Sequence, residues 1–320
     1  MTAIAAYAPG KIILFGEHAV VYGRPAIAVP VSQVRARASV TANPLGRPGQ
    51  VRIVAGDIGL ESDLGDLPSD HPLALAIAGV TRMLKIEQLP ALRLQITSTI
   101  PIAAGLGSGA AVSVAITRGL SAFLGHPLAD EEVSHIAYQV DQKYHGTPSG
   151  IDNTVIAYEQ PIFFIRGQPF IHLCTAQPFT VVIGNTGISS STAEVVGDVR
   201  RRWQAGPQPY ERVFDEIGAI ARQARQIMEE GAVEQLGPLM TRNHALLQQL
   251  DVSSPELDRL VAAAQAAGAG GAKLCGGGRG GNMIALAKPE TAQTIAGALR
   301  NAGAVNTIIT KVSNTEHGAT

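Results

Sequence analysis

Lysine is scarce in this sequence. Only Lys11, Lys85, Lys143, Lys273, Lys288 and Lys311 occur, and the remaining fixed positive charge is arginine. No dense Lys/Arg run is present and the formal net charge is -1. Phosphate-backbone binding needs a basic patch, so nucleic acid is excluded as the main partner. Cysteine is scarcer still: Cys174 and Cys275 are far apart and fit no metal-ligand spacing, which reads as a reduced, cytoplasmic protein. The eight histidines form no HxxxH pair, which speaks against a zinc site. No uncharged apolar run reaches the roughly 20 residues that span a bilayer, so no membrane partner is expected. The opening MTAIAAYAPGK has no basic segment before its apolar stretch, and Pro9 cuts that stretch short, so it does not read as a signal peptide.

What is present suits a globular protein. The 320 residues are 46% hydrophobic and 16% charged, enough for a sizeable core in one large or two modest domains. Leu92, Leu94 and Ile96 alternate with Arg93 and Gln95, a strand with one buried face. Pro101 breaks it, GLGSG follows, and Ala110 to Leu124 reads as a buried, alanine-rich helix. A second helix starts near Asp130, with Val133, Ile136, Ala137 and Val140 at helical spacing, and HGTPSGIDN after it reads as a loop. The second half is richer in helix: Thr192 to Trp203, a long one carrying Val213, Ile217, Ile220, Ala224 and Ile227, then Glu234 to Leu250, then one opened by Ser254-Pro255. A glycine-rich loop between the strands KLC and NMIALA, a helix from Glu290 to Ala302 and a strand from Val305 to Val312 complete the chain. The expected division is an N-terminal domain over 1–178 and a C-terminal domain over 179–320.

Four segments carry chemistry. Gly105-Leu106-Gly107-Ser108-Gly109-Ala110 lies between a strand and a helix, where converging backbone N–H groups and the helix N-terminus favour a phosphate. It is not a Walker A loop, because Ala110 and Ala111 stand where Lys and Ser/Thr belong. Gly105, Gly107 and Ala110 match a dinucleotide fingerprint in letters, but the nearby acids Asp130 and Glu131 open a helix instead of ending a second strand. A tight turn with close helix packing is the bland alternative. The second segment, Gly276 to Gly281, has too many glycines for a simple hairpin, and suits close backbone approach to a ligand. The third has Lys11 at one end of the apolar run Ile12 to Phe15 and Glu17-His18 at the other, polar groups at strand ends. The fourth runs from Asp141 on a helix to Asp152 in a loop. Two such carboxylates near a polyphosphate hold Mg²⁺ and orient an attacking hydroxyl, or else are a solvated helix-end acid and a turn former.

In order and spacing, APGKIILFGEHAVVYG, PIAAGLGSGAA and KLCGGGRGGNMIAL resemble the three motifs of the GHMP kinases, named for galactokinase, homoserine kinase, mevalonate kinase and phosphomevalonate kinase. GEHAVVYG, HGTPSGIDN and GNTGISSSTAEVVGDVR look like the mevalonate kinase branch. The resemblance implies an α+β chain: an N-terminal domain like ribosomal protein S5 domain 2, and a ferredoxin-like C-terminal domain. It implies ATP and Mg²⁺ as cofactors, mevalonate as the small-molecule partner, and a homodimer. Asp152 takes the catalytic position, orienting the C5 hydroxyl, with Lys11 as its lysine partner. ATP contacts are implied for Pro101, Ala104, Gly105, Leu106, Gly107, Ser108, Gly109 and Ala110. Substrate contacts are implied for Glu17, His18, Ser149, Gly150, Thr192, Gly277 and Gly278, and metal contacts for Asp141 and Ser108. Three features depart from the pattern. Gly109 stands where many members have a metal-binding serine, Asp141 where Glu is usual, and Arg279 lies inside the third motif, as a solvated residue or an added phosphate contact. A sibling kinase acting on phosphomevalonate or another small alcohol, and a catalytically silent ATP binder, are the alternatives.

Overall fold

The computed structural model describes residues 3–101, 104–145 and 148–314. In chain order the strands and helices are β1 (Ile4–Phe15), β2 (Ala26–Ala42), β3 (Val51–Ala55), β4 (Leu60–Asp63), α1 (Pro72–Met83), β5 (Leu92–Ser98), α2 (Ser108–Phe123), α3 (Asp130–His145) and α4 (Ile151–Tyr158). Then come β6 (Ile162–Phe164), β7 (Ile171–His172), β8 (Phe179–Asn185), α5 (Thr192–Ala205), α6 (Pro207–Glu230), α7 (Leu236–Gln249), α8 (Pro255–Ala266), β9 (Gly271–Cys275), β10 (Asn282–Ala287), α9 (Ala292–Asn301) and β11 (Asn306–Val312).

These elements form two compact units built from interleaved stretches of chain. One takes in the chain to Gly10, Val34–Pro101 and Gly107–Glu159; the other has Lys11–Gln33, a short stretch ending at Leu106, and the chain from Gln160 onward. The sequence expectation was two consecutive stretches meeting near residue 178.

In the first unit β5 lies between β2 and β3, antiparallel to β2 and parallel to β3, and β4 closes against β3. The alternation along β5 sets its facing: Leu92, Leu94 and Ile96 are buried while Arg93, Gln95 and Thr97 are exposed. Each buried aliphatic contributes roughly 1.5–3 kcal/mol relative to leaving it in water. Helices α1 to α4 pack on one another, and α2 also lies against β5. Arg118 on α2 fastens this layer. Its guanidinium pairs with Asp130 at the start of α3 and with Glu159 just past α4, and donates to the Ala157 carbonyl.

In the second unit four antiparallel strands stand in the order β11-β8-β10-β9. Numbered in order of occurrence this is 4-1-3-2, the ferredoxin-like arrangement of a split βαβ pair. β10 is buried along its whole length, between β8 and β9. Helix α8 touches α9 as well as β9 and β10, so the helices form one layer on this sheet. Local chemistry sets the helix ends. Ser254 accepts from the Leu257 N–H ahead of Pro255 at the start of α8, and Ser191 accepts from the Glu194 N–H at the start of α5. No helix among the described residues is long and apolar enough to cross a membrane.

Candidate active site

The expected site residues divide between the units. Pro101, Gly107, Ser108, Gly109, Ala110, Asp141, Ser149, Gly150 and Asp152 belong to the first; Lys11, Glu17, His18, Ala104, Gly105, Leu106, Thr192, Gly277 and Gly278 belong to the second. Of the motif residues, Ile102, Ala103, Gly146 and Thr147 lie outside the described residues.

In the first unit Asp152 is in the first turn of helix α4, which corrects the expectation of a loop. The helix starts behind Gly150, and the Ser149 hydroxyl accepts from the Ile151 N–H at 3.4 Å. Asn153, directly after the aspartate, is buried and donates through Nδ2 to the Ser134 hydroxyl at 2.9 Å and carbonyl at 3.2 Å. That bond ties the start of α4 to α3, and Arg118 holds its far end. Asp152 is therefore carried on a helix braced at both ends. Sequence reading gave Asn153 no role, although it stands inside a recognised motif.

Ser108 to Ala110 form the first turn of α2, which packs on both α3, the helix of Asp141, and α4. A side-chain carbon built at Gly109 would meet nothing within 4 Å, so the missing hydroxyl leaves open room. Among the described residues no group of three or more His, Cys, Asp or Glu side chains is arranged to hold a metal ion. The residues present fit a hard cation only in the manner usual for Mg²⁺, with one carboxylate such as Asp141 and nucleotide phosphates supplying most of the oxygens.

In the second unit Lys11 lies within β1, correcting its expected place at a strand end. It is 5% exposed, and its N–H donates to the Leu106 carbonyl of the phosphate loop at 2.9 Å. Asn282 Nδ2 donates to the Ala104 carbonyl, fixing the same loop from β10. Glu17 and Lys273 form an ion pair in which both side chains are fully buried. Burial pushes the Glu17 carboxyl up, and the Lys273 ammonium pulls it back. Lys273 was visible in the sequence as a lysine inside a motif, but its partner lies 256 residues away.

His18 Nε2–H donates to the Gly277 carbonyl at 3.0 Å, joining the GEH segment to the third motif. Burial lowers the imidazole to about 4, so it is neutral at physiological pH. Thr192 Oγ1 would be 2.9 Å from a carbon built on Gly277, so Thr192 packs directly on that glycine. Gly278 has a φ of +82°, and a carbon on it would fall 1.9 Å from the Val252 carbonyl oxygen; only glycine fits there. Cys275, buried beside these groups, donates its thiol to the Ile13 carbonyl and is pushed up to about 11 by burial, so it is no nucleophile. Arg279, with its side chain 32% exposed, pairs its guanidinium with Asp198 on α5 and with Asp251, bracing the loop. The second unit thus brings together Glu17, His18, Thr192, Gly277 and Gly278.

Two family models match the chain. Residues 74–160 match the GHMP kinases N terminal domain and residues 223–305 the GHMP kinases C terminal domain. The mevalonate kinase of Pyrococcus horikoshii is 38% identical, covering 97% of this chain and 96% of its own. The L. major mevalonate kinase crystal structure in complex with R-mevalonate superposes with a TM-score of 0.82 at 33% identity, covering 98% of this chain and 97% of that one. The Methanococcus jannaschii mevalonate kinase gives a TM-score of 0.84 at 26% identity, covering 98% and 99%. The chain belongs to the GHMP kinase family and, within it, to the mevalonate kinases.

Proposed function

We infer that this protein transfers the γ-phosphoryl group of ATP to the C5 hydroxyl of (R)-mevalonate, giving 5-phosphomevalonate and ADP. The observation that carries this reading is the near full-length identity with mevalonate kinases.

Asp152 accepts a hydrogen bond from the C5 hydroxyl and aims its oxygen at the γ-phosphorus. A carboxylate is a weak base, so this orientation matters more than complete proton removal. Lys11 neutralises charge that develops on the transferring oxygens. Backbone donors of Gly107 to Gly109 receive the phosphates, as a glycine turn at a helix N-terminus does. On the acceptor side, Glu17, His18, Ser149, Gly150, Thr192, Gly277 and Gly278 shape the pocket. Neutral His18 leaves Nδ1 as a buried acceptor without a partner among the described residues, suited to a substrate hydroxyl. Mg²⁺, held by Asp141 and Ser108, would supply charge neutralisation on the polyphosphate.

The test is ADP release by purified protein with Mg-ATP, alone and with (R)-mevalonate, phosphomevalonate or galactose. Mevalonate-dependent release is expected, falling at least 100-fold in Asp152→Asn while ATP affinity stays within about threefold. Equal turnover in Asp152→Asn and wild type removes Asp152 from the mechanism. Release with phosphomevalonate alone moves the assignment to the sibling kinase. ATP binding without turnover on any alcohol makes the protein a silent binder.

A further inference from the structure

Among the described residues, His18, Lys85, Glu159, Asp251 and Arg279 have positive φ without being glycine. Three of them meet at the third motif. His18, at φ +60°, binds the Gly277 carbonyl. Asp251, at +57°, and Arg279, at +54°, pair with each other. A side chain in this left-handed region is strained, and persists only where its surroundings hold it.

Glycine would adopt the conformation of position 279 freely, so what arginine adds there is its guanidinium. That group forks between two elements. Nη1 donates to Asp198 on α5. Nη2 donates to Asp251 Oδ2 at 3.4 Å, and Nε to the Asp251 carbonyl at 3.2 Å. The Arg279 N–H donates to the Val252 carbonyl at 2.7 Å. Two more arginines of α5 complete the network: Arg201 pairs with Asp198, and Arg202 with Asp251 at 3.1 Å. The hydrogen bond from Arg279 holds the Asp198 carboxyl below its ordinary range. An isolated pair this exposed would contribute little, but a network of charges on fixed elements can hold geometry. Asp198 is 27% exposed and Asp251 75%, so Asp198 is the firmer anchor.

The network surrounds the acceptor side of the site. Thr192, in the first turn of α5, packs on Gly277, and Gly278 packs on the Val252 carbonyl. Beyond Arg279, the Gly281 N–H donates to the Ile188 carbonyl at 2.9 Å. The peptides on both sides of Arg279 are thus seated on the two segments that its guanidinium joins.

We propose that Arg279 is a positioning residue for the acceptor alcohol: by clamping α5 to the turn after α7, it seats Gly277 and Gly278 against Thr192 and so sets acceptor affinity. The proposal rests on the functional reading above, so its test has one arm that needs no substrate.

That arm is backbone hydrogen exchange followed by mass spectrometry. Asp198→Asn leaves the sequence of the loop untouched, and should speed exchange across residues 276–281 by about fivefold or more. Arg279→Gly should do at least as much, and Arg279→Gly/Asp198→Asn no more than Arg279→Gly. Arg201→Gln removes only the pair within α5 and should match wild type. In turnover with Mg-ATP, the mevalonate KM should rise about fivefold or more in Asp198→Asn and Arg279→Gly, with kcat within about twofold. Arg279→Lys keeps one charge contact without the planar fork, and should recover part of the loss. Should Arg279→Gly not fold, Arg279→Lys takes its place in both arms. Wild-type exchange in Asp198→Asn overturns the proposal. So do effects that multiply in the double variant, or faster exchange with an unchanged KM. Wild-type protein that fails to phosphorylate mevalonate overturns the functional reading instead, and the exchange arm still decides whether the clamp exists.

Discussion

Replacing Lys273 by methionine keeps most of the aliphatic stem and removes the ammonium. The Lys273 and Glu17 side chains are each 0% exposed, and Glu17 Oε2 has no hydrogen-bond partner among the described residues. The carboxylate therefore depends on Lys273, and the variant strands a buried charge. Breaking a buried pair from one side costs about 3–5 kcal/mol. In a large domain each kcal/mol moves the melting temperature by roughly 2–4 °C, so a loss of about 6–20 °C is expected near neutral pH. The deficit should depend on pH. Burial already holds the Glu17 carboxyl above its ordinary 4.5, with Lys273 the main opposing influence, so the variant's carboxyl titrates higher still. A carboxyl raised in the folded state contributes stability below its unfolded pKa, and that stability is lost as pH rises through the folded value. The variant should therefore lie closer to wild type near pH 5 than near pH 8. Glu17→Gln/Lys273→Met removes both charges and should recover most of the loss. Calorimetric scans of the three proteins at both pH values decide the matter. A double variant no more stable than Lys273→Met, or a deficit that ignores pH, refutes the reasoning and assigns the loss to packing.

Gly278→Ala forces a carbon to 1.9 Å from the Val252 carbonyl oxygen at a φ of +82°. The loop must shift, and kcat/KM should fall about 100-fold or more, while a change under about threefold would mean the third motif has slack that the structure lacks. His18, lowered to about 4 from 6.5 by burial, contributes stability that is present above its unfolded pKa and lost as pH falls from 6.5 through 4. This loss amounts to about 3 kcal/mol; urea midpoints near pH 7 and pH 4.5 should differ less in His18→Gln than in wild type. Gly109→Ser enters open space, so it should melt within about 2 °C of wild type and halve or better the Mg²⁺ concentration for half-maximal activity. An unchanged Mg²⁺ titration would show that a hydroxyl there does not reach the metal.

The helices of the second half were legible because their periodicity and caps are local: Ser254-Pro255 at α8 and the five-residue apolar stripe of α6 need no distant partner. Asp152 was read in a loop because its helix is short. Gly146, Pro148 and Gly150 are turn residues, and the eight residues of α4 include Thr154, Val155 and Ile156, whose branched carbons lower helix propensity. Lys11 was placed at a strand end because Pro9 and Gly10 look like breakers; the strand continues through them where Ala8 to Phe15 are buried. The interactions that fix the site had no local signal at all. Arg279 meets Asp198 across 81 residues, Asn153 meets Ser134 across 19, and Lys273 meets Glu17 across 256. A motif scan marks such residues without saying what holds them.

The interleaving of the two units carries a consequence for how the chain is made. Lys11–Gln33 leaves the ribosome early, yet it belongs with chain that follows residue 160. His18 and the carbonyl it binds at Gly277 are 259 residues apart; at roughly 5–20 residues per second, synthesis separates them by about 13 to 52 s. Over that interval the apolar run Ile12 to Phe15 waits without β9, β10 or the third motif. The histidine contact therefore closes only near the end of translation, and the acceptor side of the site is among the last parts of the protein to come into being.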